Sequence, residues 1–306
     1  MTQKQKMKSS IADSIVCGDC VRIMRKAPGE SVDLIVADPP YWKVINESWD
    51  YQWRTEEDYI AWSKVWFAEA YRTLRKGGGF YLFGYFRMLA MLLPELFKLG
   101  FELRQQIVID KGMKAVSGRA TRNYKMFPNT TESVLFLVKD SKPFIRDFLL
   151  EQKAKSGLTS KQINEALGVK SNGGGMWSIY TGQNICEQVP TRELWEKLGK
   201  ILGFTLPYDQ ISITFNAQMG ITDVWRDIDF YCEDRKHPTQ KPERLIERIV
   251  AASSNPGDLV MDPFLGSGTT AIVAKKMGRS YFGIELDEGY FSDAKSRLAS
   301  AVQTTL

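Results

Sequence analysis

Two short segments concentrate residues whose types and spacing could do chemistry. The first is Asp38-Pro39-Pro40-Tyr41, directly after the apolar run Val32–Ala37. Consecutive prolines remove two backbone N–H donors and restrict φ, which leaves a stiff stretch of carbonyl acceptors. Asp38 adds a carboxylate acceptor and Tyr41 a flat aromatic face. Together they suit a planar group carrying an –NH₂, although the same tetrapeptide is also good chemistry for a strand-ending turn. The second segment is Asp262-Pro263-Phe264-Leu265-Gly266-Ser267-Gly268-Thr269-Thr270. Glycines between a strand and a helix let a ligand approach the backbone, and the helix N-terminus favours negative charge. Glu285 ends the next apolar run, Tyr281–Glu285, where a carboxylate can accept from ribose hydroxyls. Ala271 stands where a dinucleotide fingerprint would place its third glycine, and no phosphate-loop lysine is present. NAD and ATP therefore fit less naturally than some other adenosine-bearing cofactor.

The elements that must position these segments follow from periodicity. Ser14–Cys17, Val32–Ala37, Phe80–Phe83, Gln105–Ile109, Ser133–Val138, Leu259–Met261 and Ser280–Ile284 read as strands. Tyr59–Arg75, Arg87–Leu99, Glu243–Ala252, Thr269–Met277 and Glu288–Ala299 read as helices. Lys76-Gly77-Gly78-Gly79 is expected to stop the first of these, and Pro94 to kink or break the second. Strands alternating with helices predict an open, mostly parallel α/β sheet. Between about 139 and 234 the pattern changes to a polar, mainly helical stretch. It contains Leu158–Val169, with helix-turn-helix-like spacing, and the amphipathic Thr191–Leu202. The expected organisation is a sheet half at 1–140, a helical insert at 141–235 and a second sheet half at 236–306.

The chain has 306 residues, 43% of them hydrophobic and 25% charged, enough to bury a large core without disulfides or metals. Only four cysteines and one histidine, His237, are present. Cys17 and Cys20 form a C-x-x-C, but Cys186 and Cys232 stand far apart, so no metal site is expected. No apolar run has membrane-spanning length and Met1–Ser10 is polar, so a soluble cytoplasmic protein without a membrane partner is expected. The formal net charge is +5, and between Lys111 and Phe127 five basic residues stand without an acidic one: Lys111, Lys114, Arg119, Arg122 and Lys125. A basic, glycine-containing loop of this kind can contact phosphates, or can be an ordinary solvated loop.

Taken together, the two segments resemble the amino-methyltransferases of DNA, which act on adenine N6 or cytosine N4. In that family D-P-P-Y is the catalytic motif and D-P-F-x-G-S-G-T-T the cofactor loop. His237-Pro238-Thr239-Gln240-Lys241-Pro242 matches a further cofactor motif, and the resemblance covers roughly 14–140 and 236–300. The motif order is that of the β group. It implies a circularly permuted, Rossmann-like S-adenosylmethionine-dependent methyltransferase sheet with one antiparallel strand, and a bacterial, archaeal or phage origin.

The resemblance also implies roles. Asp38, Pro39, Pro40 and Tyr41 would be catalytic. Thr239, Gln240 and Lys241 would lie near the methionine carboxylate of S-adenosylmethionine. Asp262, Phe264, Gly266, Ser267, Gly268 and Thr269 would line the cofactor pocket, Glu285 would hold the ribose, and Asp19 would approach the adenine. The insert would occupy the target-recognition region, with DNA as partner. The expected reaction is methylation of a flipped adenine at N6. Cytosine N4 is the nearest alternative, and a non-catalytic DNA-binding regulator the alternative from another class. Whether the chain works as a homodimer, or beside a cognate restriction endonuclease, is not written in the sequence.

Overall fold

The computed structural model describes residues 10–42, 51–116, 127–168, 175–182, 187–230 and 240–301. The described residues fall into two compact units, 1–139 with 214–306, and 140–213.

The first unit is built on an eight-stranded sheet: β1 (Ser14–Cys17), β2 (Val32–Ala37), β3 (Leu74–Gly84), β4 (Phe101–Asp110), β5 (Thr131–Lys139), β6 (Val224–Trp225), β7 (Leu259–Asp262) and β8 (Ser280–Glu285). Their order across the sheet is β1-β8-β7-β2-β3-β5-β4-β6. Every pairing is parallel except those of β5, which runs antiparallel to both β3 and β4. All six residues of β2 are buried, which is why its sequence is almost continuously apolar. Helices α1 (Cys20–Met24), α2 (Glu56–Thr73) and α3 (Phe86–Leu99) pack their apolar residues with Ile35, Ala37, Phe80 and Leu82 on one face of the sheet. On the other face the Tyr81 hydroxyl meets Ser253 of α8 (Glu243–Ser253) at 2.7 Å. The single antiparallel strand implied by the family resemblance is β5.

Two local expectations change. The glycine run does not stop α2. That helix starts earlier, at a capping box between Thr55 and Asp58, and ends at Thr73, while β3 already begins at Leu74. Val32 pairs with Leu74 but Leu34 pairs with Gly79, so residues 75–78 bulge out of the ladder. Gly77 takes φ +69, and a Cβ on Gly78 would come 2.9 Å from the Arg75 carbonyl, so the bulge needs these glycines. Pro94 does not break α3, which runs on to Leu99. Proline removes one ladder bond, but Met88, Leu89, Leu92 and Leu96 bury a whole face of this helix and outweigh that loss.

The helical unit consists of α4 (Lys142–Ser156), α5 (Ser160–Leu167), α6 (Gly175–Tyr180) and α7 (Arg192–Leu202) around its own core of Ile145, Leu149, Ile163, Trp177, Trp195 and Leu198. Thr159 and Gln162 form a capping box on α5, and Thr191 caps α7. The unit ends at 213, short of the expected 235. Asn216 bonds to the carbonyls of Ala251, Ala252 and Ser254 around the end of α8, and β6 pairs with β4, so this stretch belongs to the sheet unit. No helix among the described residues is long and apolar enough to cross a membrane.

Candidate active site

A cavity of about 390 Å³ opens at the carboxyl ends of β1, β8, β7 and β2, four neighbours in the sheet. Each of these strands ends in a residue or turn singled out above: Gly18-Asp19, Glu285, the Asp262–Thr270 loop, and Asp38–Tyr41. Parallel pairing puts all four ends on one edge, which is how segments far apart in the chain become neighbours.

On the β7–β8 side the cavity is shaped by backbone. Gly266 and Gly268 have φ +51 and +86, and Gly268 leads into α9 (Thr269–Lys276). A Cβ on Gly268 would lie 3.1 Å from that of Ala294, on α10 (Glu288–Ser300). Glu285 accepts from the backbone N–H of Gly266 at 2.7 Å and of Asp287 at 2.9 Å. A carboxylate has about four acceptor positions, so these backbone donors leave acceptor capacity for a ligand hydroxyl. Asp262 accepts from the Phe264 N–H at 3.0 Å, and burial pushes its carboxyl up to about 7 against a hydrogen bond from Thr270. Burial raises Glu285 as well. No ion pair reaches either acid among the described residues. Phe264 rests against Trp62 and Trp66. Ser267 and Thr269 line the cavity, as does Gln240. Asp19 caps α1, accepting from the Arg22 N–H at 2.8 Å, with its side chain at the cavity rim. Thr239 and His237 lie outside the described residues.

The β2 side is held by charge instead. Asp38 receives the Tyr41 hydroxyl on Oδ1 at 2.5 Å and Lys241 Nζ on Oδ2 at 2.6 Å. Both donors also reach Glu132, Tyr41 at 2.8 Å and Lys241 at 3.0 Å, on the same Oε1. Lys111 approaches the other oxygen of Glu132 at 3.3 Å. Asp38, Lys241 and Glu132 are 18%, 9% and 4% exposed. Burial dominates at Asp38 and, with the like charge of Glu132, outweighs Lys241, so its carboxyl is raised. Burial also acts on Glu132, but Lys241 and Lys111 together outweigh it and its carboxyl is lowered. Lys241 is held well above the usual lysine range, its two carboxylates overcoming the cost of burial. The Pro40 carbonyl accepts from the Tyr59 hydroxyl at 2.7 Å, whereas no described donor reaches the Pro39 carbonyl.

One expected placement shifts and one gains partners. Lys241, expected near the methionine carboxylate, lines the cavity beside Gln240 and there bridges Asp38 and Glu132. Lys111 is not part of a free basic loop. It follows the end of β4, where Ile109 pairs with Glu132, and that register turns its ammonium onto the carboxylate. Lys114 lies exposed in the short turn Met113–Val116, while Arg119, Arg122 and Lys125 are outside the described residues. Glu132 escapes sequence reasoning, standing just ahead of the strand read at Ser133–Val138. The available signal is a single acid opening an otherwise apolar run.

A profile of the DNA methylase family matches residues 32–296. The chain belongs to the DNA methylase family. Its relatives include the DNA adenine methyltransferase YhdJ of Escherichia coli K12, 30% identical over 290 residues that span 94% of this chain and 83% of YhdJ. Among solved structures, the Thermus thermophilus protein TTHA0409, crystallised with S-adenosyl-L-methionine, has the same fold. It superposes with a TM-score of 0.56 at 22% identity over 94% of this chain and 93% of its own. The cytosine-N4-specific PvuII DNA methyltransferase superposes with a TM-score of 0.57 at 16% identity over 93% of this chain and 85% of its own. Members of this fold with different target bases thus share the sheet, so the fold by itself does not choose the base.

Proposed function

We propose that this DNA methylase transfers the methyl group of S-adenosylmethionine to N6 of an adenine flipped out of DNA. The observation that carries the cofactor is the contrast in charge along one cavity. Asp262 is a buried acid and Glu285 a half-buried one, with no cation against either among the described residues, beside a glycine loop that leaves room for a ligand against backbone. A ligand bearing positive charge and a ribose fits such a wall, and the volume lies within the usual range for small-ligand pockets. S-adenosylmethionine supplies an electrophilic methyl on a sulfonium centre when bound there. Glu285 would accept from the ribose, and Asp262 would face the positive end of the ligand.

The chain's own residues then act on the target. Flipping a base costs a few kcal/mol, and stacking on an aromatic face returns about 1–3 kcal/mol. Tyr41 supplies that face while its hydroxyl is anchored to Asp38 and Glu132. Asp38 and the Pro39 carbonyl, which no described donor reaches, accept the two amino hydrogens. That grip favours a pyramidal nitrogen and relieves the positive charge that grows on it during attack. No covalent enzyme intermediate is required. Adenine rather than cytosine is supported by Asp38 at the head of the motif and by the name of the 30%-identical relative. Lys114, Arg119, Arg122 and Lys125 are assigned to phosphate contact, and the helical unit to target recognition. Single-molecule sequencing of DNA from cells expressing the protein tests this reading. N6-methyladenine in a fixed sequence context is expected; N4-methylcytosine alone, or unmodified DNA, would refute it.

A further inference from the structure

The strand that breaks the parallel pattern brings an acid to the site from an unexpected direction. Because β5 runs antiparallel to β3 and β4, its first residues, not its last, reach the edge where the parallel strands end. Glu132 is the second residue of β5, and its side chain is 4% exposed. Its two oxygens hold Lys241, Tyr41 and Lys111, and the first two are also the groups that hold Asp38. The ionisable groups around Asp38 are Tyr41 on its own loop, Glu132 on β5, Lys241 just before α8, and Asp262 at the end of β7. With Glu132 ionised, the two lysines are balanced by two carboxylates. Without it, Lys241 has only Asp38 to pair with, and positive charge is left over where the attacking nitrogen becomes positive.

We propose that Glu132 is a positioning residue for methyl transfer: it shares the Lys241 ammonium and the Tyr41 hydroxyl with Asp38, so that the Asp38 carboxylate is not fully taken up by Lys241 and can accept from the target amino group. This rests on the amino-methylation reading above. Glu132 touches neither substrate nor cofactor in this role. Its influence runs through Lys241, and its removal lets the lysine close fully onto Asp38.

The test is Glu132→Gln, with Glu132→Asp and the double variant Glu132→Gln/Lys241→Met beside it. In Glu132→Gln, kcat for methyl transfer should fall roughly 100-fold, with binding of S-adenosylmethionine and the KM for DNA unchanged. Removing a like charge lowers the Asp38 pKa, so the acid limb of kcat should move to lower pH. Glu132→Asp should recover part of the rate, and the double variant should lose much less than the product of the two single losses. A kcat loss that follows the loss of thermal stability, with an unmoved acid limb and independent single effects, would overturn the proposal. So would full activity in Glu132→Gln. Carbon-13 NMR of the aspartate carboxyls, with Asp38 assigned through Asp38→Asn, reads the same shift without turnover; an unchanged Asp38 midpoint in Glu132→Gln also overturns it. Failure of the wild type to make N6-methyladenine would instead count against the function proposed above, because the NMR shift does not depend on the product.

Discussion

The cavity has two walls, and they handle buried acid in opposite ways. Along β2 and β5, Asp38 and Glu132 are matched by Lys241 and Lys111, with Tyr41 tying the two acids together. Along β7 and β8, Asp262 and Glu285 are met, among the described residues, only by backbone N–H groups and a threonine, and both carboxyls are raised. A wall that carries its own counter-ions is preorganised: its geometry is set before anything binds, as a group that must grip two hydrogens requires. A wall that leaves its acids unbalanced is completed by its ligand. In the proposed function the first wall takes a neutral amine that becomes positive only during reaction, and the second a ligand that arrives positive.

The largest expected effect comes from breaking the balanced wall at its centre. Asp38→Ala should lower methyl transfer by about 1,000-fold or more while leaving cofactor affinity intact, read by single-turnover transfer and by calorimetry with S-adenosylmethionine. Loss of both would mean that the walls are not separate devices.

The unbalanced wall should respond through binding instead. Asp262→Asn should weaken S-adenosylmethionine by about tenfold, roughly 1.4 kcal/mol, with a smaller change in the rate of the loaded enzyme. The same residue sets a pH dependence. With its carboxyl raised to about 7, Asp262 is protonated below that pH and must lose its proton to face a cation. Affinity for S-adenosylmethionine should therefore rise as pH passes upward through about 7 and level off above it. The rise should flatten in Asp262→Asn, and a pH-independent affinity in the wild type would count against the assignment.

The smallest expected effect on function tests the shape of that wall. Gly268→Ala places a Cβ at φ +86 and 3.1 Å from Ala294, which should cost about 1–2 kcal/mol of stability. Thermal unfolding should show the loss, accompanied by weaker cofactor binding. An unchanged Tm would mean that the loop relaxes at no cost.

The unbalanced wall is the more legible in sequence, for a physical reason. Its parts sit in continuous stretches, Asp262–Thr270 and Tyr281–Glu285, where the spacing of glycines and acid along the chain mirrors their spacing in space. The strand-helix alternation likewise reveals the sheet, because β2 is buried on both faces and its apolar run is unmistakable. The balanced wall is legible only in part. Asp38–Tyr41 stands out, but Glu132 and Lys111 reach it through the antiparallel register of β5 with β4, and no local pattern encodes a pairing between strands. The glycine run 77–79 misleads because glycines that end a helix and glycines that permit a bulge look alike in sequence. Pro94 does not break α3, because the apolar face of Met88, Leu89, Leu92 and Leu96 holds the helix together.

The proposed function turns on Asp38 gripping an adenine amino group in DNA. Its most direct test is nucleoside analysis of a DNA duplex after incubation with S-adenosylmethionine and either the wild-type protein or Asp38→Ala. N6-methyladenine from the wild type, and none from the variant with its cofactor still bound, is the expected result. N4-methylcytosine as the product, or an equal yield of N6-methyladenine from Asp38→Ala, would contradict it.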